Sequence, residues 1–164
     1  MTIERFRGEH FYLSNMYPLK VPILALCGIQ VPTSEHVYMS GRFVDPDVQR
    51  EVAEIRAEPS DASWYANGKA VKSFARKLVD SGEEQLPDWP NAKLDLMYEA
   101  VKRKFAANHD IALLLAQTGV EELVEGNDWG DRFWGVDPIG STDGENHLGL
   151  ILMRVRNELS GIYA

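Results

Sequence analysis

The chain has little of several things that would place it in a familiar class. It has one cysteine, Cys27, so no intramolecular disulfide can form, and the apolar neighbours of this residue favour a buried thiol over a nucleophile. Its 17 lysines and arginines are outnumbered by 25 acidic residues, which argues against broad neutralisation of nucleic-acid phosphates. The longest apolar run, residues 21–26, contains Pro22 and is too short to cross a bilayer. No basic-then-apolar leader opens the chain, so a cytoplasmic protein is expected.

The usual signatures of metal and cofactor sites are also missing. The four histidines, His10, His36, His109 and His147, share no metal-ligand spacing, and there is no cysteine pair. Neither a Rossmann nor a P-loop glycine pattern is present, and no nucleophile elbow accompanies a serine. The sequence therefore predicts chemistry carried by carboxylates, amides, arginines and aromatic rings, with no metal and no organic cofactor.

Length and periodicity predict one α+β domain over residues 1–164. With 164 residues, 45% of them hydrophobic, the chain can bury one substantial core. Aromatic and β-branched runs predict strands, and apolar residues at helical spacing predict helices. The expected strands cover residues 6–12, two pieces of 21–31 and 123–124, and the expected helices start at residues 33 and 45 and cover 60–66, 92–107, 110–117 and 146–159. We expect a small, mostly antiparallel sheet wrapped by these helices, with residues 73–89 as a surface insertion.

The segment from Glu125 to Gly135, here called the glycine-tryptophan segment, has the composition of a site. Three glycines cost backbone entropy unless a turn or a close approach needs them. Two indoles could stack on a planar ring, and the crowded acids could perturb each other's pKa values. The alternative is a tryptophan-rich corner of the core beside a solvated turn. The residues concerned are Gly126, Asn127, Asp128, Trp129, Gly130, Asp131 and Trp134.

Two further clusters contain polar residues at element ends. Ser14 and Asn15 follow a predicted strand and could hydrogen-bond a sugar or a base, although an Asx turn explains them equally well. Glu35 falls in the first turn of a predicted helix, where it is either a partly buried acid or an ordinary capping residue. Arg42 lies two turns further on and could neutralise Glu35 or a phosphate. The basic run at residues 102–104 is interpreted as a solvated helix face.

Taken in order, these clusters and several shorter motifs resemble the NADAR or YbiA-like N-glycosidase family over nearly the whole chain, from Phe6 to Leu159. Any one motif is weak, but several in the same order are specific. The matching segments are Leu13-Ser14-Asn15-Met16-Tyr17, Pro32-Thr33-Ser34-Glu35-His36, Asp88-Trp89 with Lys93 and Met97, Lys104-Phe105, Leu123-Val124-Glu125, Trp129-Gly130-Asp131 and Asn146-His-Leu-Gly-Leu-Ile-Leu-Met-Arg-Val-Arg156.

The resemblance implies an enzyme that cleaves the C1'–N bond of a ribosylated nitrogen compound. The implied substrates are early riboflavin-pathway ribosylaminopyrimidine phosphates, or ADP-ribose attached to guanine, and the implied partner is therefore a nucleotide-like small molecule or ADP-ribosylated nucleic acid. Glu35 and Asp131 match the two carboxylates that such chemistry needs, one for the departing nitrogen and one for the cationic ribose. Which acid has which role stays open, as does the oligomeric state.

Further residues are expected to contact the substrate. Trp129 and Trp134 would stack on the base or shield the sugar, and Asn15 and Asn146 would hold hydroxyls. Arg7 is the expected phosphate contact. The other expected substrate-binding residues are Ser14, His36, Arg42, Asn127 and Gly130.

One position departs from the family pattern. Family members carry Lys-Phe after the helix of Glu35, whereas this chain has Arg42-Phe43. A lysine amine can form a Schiff base with a sugar, but a guanidinium stays protonated and cannot attack. The protein would then be a slower enzyme, use water directly or act as a non-catalytic binder of ADP-ribose, unless Lys69 supplies the amine. A scaffold with an acidic binding surface is a third reading, supported only by the net charge of -8.

Overall fold

A computed structural model describes residues 1–163 of the chain. Its elements are helices joined to very short strands, and the residues fall into two compact units. One unit contains residues 15–108, and the other contains residues 1–14 together with the described chain from His109 onward. The elements are β1 Thr2–Ile3, a 3-10 helix Gly8–Leu13, β2 Ile23–Leu24, β3 Gln30–Val31, α1 Ser34–Gly41, α2 Pro46–Ala53, α3 Ala66–Asp80, α4 Trp89–Ala107, α5 His109–Gln117, β4 Glu122–Leu123 and α6 His147–Tyr163.

Helix α1 is the centre of the unit formed by residues 15–108. All eight of its residues are buried, and it packs against α2, α3 and α4. Thr33 caps its N-terminus, because its hydroxyl oxygen accepts the amide of His36 at 3.2 Å. A buried helix has no solvated face, so every polar side chain on α1 must find a partner within the protein.

The hairpin that precedes α1 is confirmed. β2 and β3 pair antiparallel in the register Ile23 to Val31, and the amide of Gly28 closes the turn on the carbonyl of Ala25 at 2.9 Å. Cys27 lies in this turn and is half-buried, so its predicted place in the core is wrong. The turn carries this cysteine to the rim of the hairpin, away from the packed faces.

Helix α2 starts as predicted, with Asp45 as the cap and Pro46 in the first turn. The expected helix over residues 60–66 is absent, because α3 begins only at Ala66 and runs through the Asn67-Gly68 pair that indicated a stop. Gly68 lies against Met16 so closely that a Cβ there would be 3.0 Å from the Met16 Cα. The glycine therefore serves close packing inside the helix rather than its termination.

The predicted insertion over residues 73–89 is also corrected. Its first half is the end of α3 and Trp89 begins α4, so only residues 81–88 form a loop. The α4 helix starts three residues before the predicted Ala92. Its basic run is a solvated face only in part. Lys102 is exposed, but Lys104 is only 1% exposed and its Nζ lies 5.6 Å from the ring centre of Tyr17.

The second unit is built on a parallel pair of strands. β1 pairs with β4 in the register Thr2 to Glu122, and α6 packs against both β4 and α5. The strand expected over residues 6–12 is a 3-10 helix instead, with the amide of His10 bonded to the carbonyl of Arg7 at 3.0 Å. Among residues 1–163, the strands that pair with each other are β1 with β4 and β2 with β3, so the aromatic run at residues 6–12 joins no sheet.

These elements confirm the α+β class, with helices predominating. The strands among residues 1–163 form two separate two-stranded sheets, one parallel and one antiparallel, rather than one sheet. The prediction of a single domain over residues 1–164 stays a prediction.

Candidate functional site

The glycine-tryptophan segment is irregular backbone organised around one buried amide. Asn127 has no exposed surface. Its Nδ2 donates to the carbonyls of Asp131 at 2.7 Å and Val136 at 2.9 Å, and its Oδ1 accepts the amides of Asp131 at 3.0 Å and Trp129 at 3.3 Å. The side chain is thus fully occupied with the backbone. The expectation that Asn127 contacts substrate is not supported, since its role is to fix the shape of the loop.

The two carboxylate oxygens of Asp131 have different surroundings. Oδ1 accepts the amides of Phe133 at 3.2 Å and Trp134 at 2.9 Å, so it closes a turn. Oδ2 has no hydrogen-bond partner among residues 1–163, and the residue is half-buried. One oxygen therefore holds the loop while the other is available to a ligand.

The two indoles of the segment differ in exposure. Trp129 is 56% exposed, and the guanidinium carbon of Arg7 lies 5.4 Å from its ring centre. Gly130 follows with φ +88°, which turns the chain sharply, and its amide donates to the Asp137 carboxylate. Trp134 is half-buried and meets Phe133 edge-on at 4.8 Å. Trp129 is the accessible platform, and Trp134 belongs to an aromatic cluster.

Asn146 links β4 to the start of α6. It has φ +51°, its Oδ1 accepts the amide of Glu125 at 3.0 Å, and its Nδ2 donates to the carbonyl of Leu123 at 2.9 Å. These bonds tie the entrance of the glycine-tryptophan segment to the start of α6. Asn146 therefore supports the loop, and its contact with sugar hydroxyls stays a prediction. Ser14 ends the 3-10 helix, where its amide donates to the carbonyl of Phe11 at 3.0 Å.

In the other unit, Glu35 is a buried acid on the first turn of α1. It is 5% exposed, and its amide donates to the backbone carbonyl of Asn15 at 3.2 Å. The Asn15 side chain accepts the hydroxyl of Ser34 at 3.0 Å and donates to the sulfur of Met97 at 3.0 Å. Asn15 was expected to hold sugar hydroxyls, but it is 7% exposed and secures the turn that carries Glu35.

His36 is part of the core of this unit. Its ring has no exposed surface, and its Nε2 lies 2.7 Å from the carbonyl of Ile55, which can only accept. Nε2 therefore holds the proton, and Nδ1 accepts the hydroxyl of Thr33 at 2.7 Å. Burial lowers the pKa of His36 to about 4, so the ring is neutral at pH 7. The expectation that His36 contacts substrate is not supported, because both nitrogens are bonded within the protein.

Arg42 caps the C-terminus of α1 and is held on two sides. Its Nε and Nη2 both donate to Oε1 of Gln85, at 3.0 and 2.7 Å, and its guanidinium carbon lies 4.8 Å from the ring centre of Trp89. Burial lowers the pKa of Arg42, and the charges of Tyr38 and Glu35 oppose this effect, which puts Glu35 within electrostatic range. Gln85 had no signal in the sequence, since it lies in the stretch interpreted as an insertion.

A cavity of about 310 Å³ lies in the same unit. Its walls include Pro18, Asp61, Trp64 and Asn67. Pro18 lies three residues after Asn15, which holds the first turn of α1.

Lys69, the alternative source of an amine, is exposed on α3 with its Nζ 5.9 Å from the ring centre of Tyr65. Within residues 1–163, no cluster of His, Cys, Asp and Glu could hold a metal ion, and no helix is long and apolar enough to span a membrane.

The unit of residues 15–108 thus contains a buried acid and a fixed guanidinium on α1, and the other unit contains an exposed indole. The NADAR domain family matches residues 4–160, which is nearly the whole chain. The protein belongs to the NADAR family, and the resemblance seen in its sequence motifs is confirmed.

The chain is similar in sequence to curated proteins and in structure to a solved one. Riboflavin biosynthesis protein VVA0006 of Vibrio vulnificus is 35% identical over 92% of this chain, but the matched part is only 36% of that protein. N-glycosidase Npun_R5314 of Nostoc punctiforme is 35% identical over 80% of both chains. The NMR structure of Escherichia coli YbiA superposes with a TM-score of 0.76 over 99% of this chain and 86% of its own, at 24% identity, and so supports the fold.

Proposed function

We propose that this protein is an N-glycosidase that hydrolyses the C1'–N bond of a ribosylated nitrogen compound. The substrate is either ADP-ribose attached to a guanine base or a ribosylamine nucleotide of the early riboflavin-pathway type. The observation that carries this proposal is the buried Glu35, secured by Asn15 and Ser34 on a helix of a NADAR-family chain. Relatives named N-glycosidase support the reaction class, and a relative named riboflavin biosynthesis protein supports the second of these substrate types.

Cleavage of this bond leaves positive charge on the ribose and an electron pair on the departing nitrogen. A carboxylate near C1' stabilises the cation, while the nitrogen leaves more readily when it receives a proton or a hydrogen bond. Water then adds its hydroxyl to C1'. In the overall reaction, the other proton of water ends on the nitrogen of the released base. We propose that Glu35 and Asp131 share these two tasks, with Oδ2 of Asp131 as the reactive oxygen.

The side chain of Arg42 shapes this mechanism. A guanidinium stays protonated and cannot form a Schiff base with the sugar. Direct attack by water is therefore the route that this chain's own residues support. Its fixed positive charge also compensates for burying Glu35, since an isolated buried carboxylate is costly.

The proposal is tested by turnover of two substrates. Purified protein is incubated with guanine-ADP-ribosylated DNA and with ribosylaminopyrimidine phosphate, and the released ADP-ribose or ribose phosphate is quantified by mass spectrometry. We expect release from at least one substrate, and none from either with Glu35→Gln. Absence of product from both substrates with the wild-type protein would remove the proposal.

A second candidate is a non-catalytic module that binds ADP-ribose or a related nucleotide. It is favoured by Arg42, which replaces the family lysine. Calorimetry that shows tight ADP-ribose binding without turnover, and no gain of activity in Arg42→Lys, would favour this candidate.

The acidic net charge of -8 fits a small molecule or a single modified base better than duplex binding, and a lone cysteine fits the cytoplasm.

A further inference from the structure

The guanidinium of Arg42 uses only part of its hydrogen-bonding capacity. Nε and Nη2 share one acceptor, Oε1 of Gln85, while Nη1 makes a weak contact with the sulfur of Met39 at 3.5 Å. A guanidinium carries five N–H groups, two of them on each terminal nitrogen. Nη1 and Nη2 therefore each keep one N–H that bonds to nothing else in the part of the chain described.

Gln85 is itself held firmly against the end of α1. It forms an antiparallel bridge with Phe43, and the amide of Leu86 donates to the carbonyl of Arg42 at 2.8 Å. The amide of Val44 donates to the carbonyl of Glu84 at 3.1 Å. Backbone pairing on both sides of Gln85 thus delivers its side-chain oxygen to Arg42, and the indole of Trp89 covers the guanidinium face.

The group that orients Arg42 is uncharged. The Gln85 side chain is a neutral acceptor, so it orients the guanidinium without cancelling its positive charge. Arg42 is half-buried, and charge-assisted hydrogen bonds made by such a group are stronger than those of an exposed arginine. A planar, oriented guanidinium with one free N–H on each terminal nitrogen matches two oxygens of a phosphate or pyrophosphate.

We propose that Gln85 is a positioning residue that holds Arg42 as a receptor for a phosphate or pyrophosphate group of the ligand. This inference rests on the proposed function and extends it, because both proposed substrates carry phosphate. It also gives residues 81–88 a role, since they supply the neutral oxygen that sets the orientation of the guanidinium.

The first test is calorimetric titration with ADP-ribose and with ribose 5-phosphate. Arg42→Gln should weaken binding of one or both by about 10- to 100-fold, as expected for the loss of a charge-assisted pair. Arg50→Gln, on the exposed face of α2, is the matched control and should leave affinity unchanged. Wild-type protein that binds neither compound, or Arg42→Gln with wild-type affinity, overturns the inference.

The second test separates positioning from mere structural support. Gln85→Glu keeps the acceptor but adds a negative charge that pairs with Arg42, so the melting temperature should stay or rise while affinity for ADP-ribose falls about tenfold. The salt dependence of Kd should flatten in the same variant, because the guanidinium charge is already compensated. Gln85→Leu, which loses the acceptor, should weaken binding less than Arg42→Gln. A Gln85→Glu variant with unchanged affinity and salt dependence would mean that Gln85 only supports the fold.

Failure of this inference can be distinguished from failure of the proposed function. Turnover by the wild type together with normal ADP-ribose affinity in Arg42→Gln would reject the phosphate receptor and keep the N-glycosidase. Binding that depends on Arg42 without turnover of either substrate would reject the N-glycosidase and keep the receptor.

Discussion

The first turn of α1 and the glycine-tryptophan segment present their acids in contrasting ways. Glu35 is carried on a buried helix and is 5% exposed, with its turn secured by Asn15 and Ser34. Asp131 lies on irregular backbone, and one of its oxygens is occupied by the amides of Phe133 and Trp134. Regular structure places Glu35, whereas hydrogen bonds from the loop itself place Asp131.

The contrast shows two ways in which a protein can position a carboxylate. On α1 the helix and its neighbours hold the turn that carries the acid. In the loop, part of the carboxylate maintains the conformation that presents the rest. Substitution of Glu35 is therefore expected to reduce catalysis and leave the stability of the fold largely unchanged. Substitution of Asp131 is expected to affect both catalysis and stability.

The largest effect is expected at Glu35. Glu35→Gln keeps the size and polarity of the side chain but removes its charge, so kcat should fall by about 10³-fold while the circular dichroism spectrum stays that of the wild type. The measurement is the initial rate with whichever substrate turns over. Glu54→Gln, at the end of α2, is the control and should keep full activity. An active Glu35→Gln protein would show that the buried acid is structural.

Asp131 should show a smaller and mixed effect. Asp131→Asn retains an oxygen for the amides of Phe133 and Trp134, so the free energy of unfolding should change little while kcat falls by about 10²-fold. Asp131→Ala should lose activity and also about 1 kcal/mol of stability, because the turn loses its acceptor. Both quantities are measured by steady-state kinetics and urea denaturation. Wild-type turnover in Asp131→Asn would confine this acid to holding the loop.

The support beneath Glu35 should be sensitive to acid. The pKa of His36 is about 4 in the folded protein and 6.5 ordinarily, so the unfolded chain binds a proton more readily. Stability should then be constant above pH 6.5 and fall by about 3 kcal/mol as the pH drops towards 4.

Urea denaturation of the wild type and of His36→Gln across this range measures the difference in slope. Because His36→Gln could fail to fold, the ring is also followed in the wild type by NMR, where it should stay neutral down to about pH 4. Protonation of His36 near pH 6.5 would contradict its buried, doubly bonded placement.

The smallest effect is expected at the exposed side of the glycine-tryptophan segment. Trp129→Ala should raise KM by about 10-fold if a base stacks on the indole, and Arg7→Ala by about 3-fold. Because Arg7 lies over the same ring, the two effects should not add in the double variant. Strict additivity would mean that Arg7 and Trp129 contact the ligand independently.

Much of the fold could be predicted from local signals. The hairpin at residues 23–31, the caps at Thr33 and Asp45, and the helices α4 and α5 follow from turn residues and apolar spacing. The misses come from tertiary packing, which local patterns do not report. Asn67-Gly68 has the chemistry of a helix end, but Gly68 is buried beside Met16. The run from residue 6 has the aromatics of a strand but joins no sheet among residues 1–163.

The candidate site was predictable in its residues but not in their roles. Composition and motif order indicated Glu35, Arg42 and the glycine-tryptophan segment. Nothing in the sequence distinguishes an amide that faces a ligand from one that ties down backbone, so Asn15, Asn127 and Asn146 were all expected to bind substrate. Gln85 was missed because its importance depends on a backbone bridge to Phe43 over a long sequence separation.

The most direct test of the account is a crystal structure of the Glu35→Gln variant with ADP-ribose bound. We expect the anomeric carbon of the terminal ribose to lie within about 4 Å of the side chain of residue 35, as a reacting group requires. A phosphate should lie at hydrogen-bond distance from Nη1 and Nη2 of Arg42. The assignment of Glu35 to catalysis would be contradicted if the anomeric carbon of the terminal ribose lay more than about 8 Å from residue 35. That distance is beyond the reach of any direct or water-mediated contact.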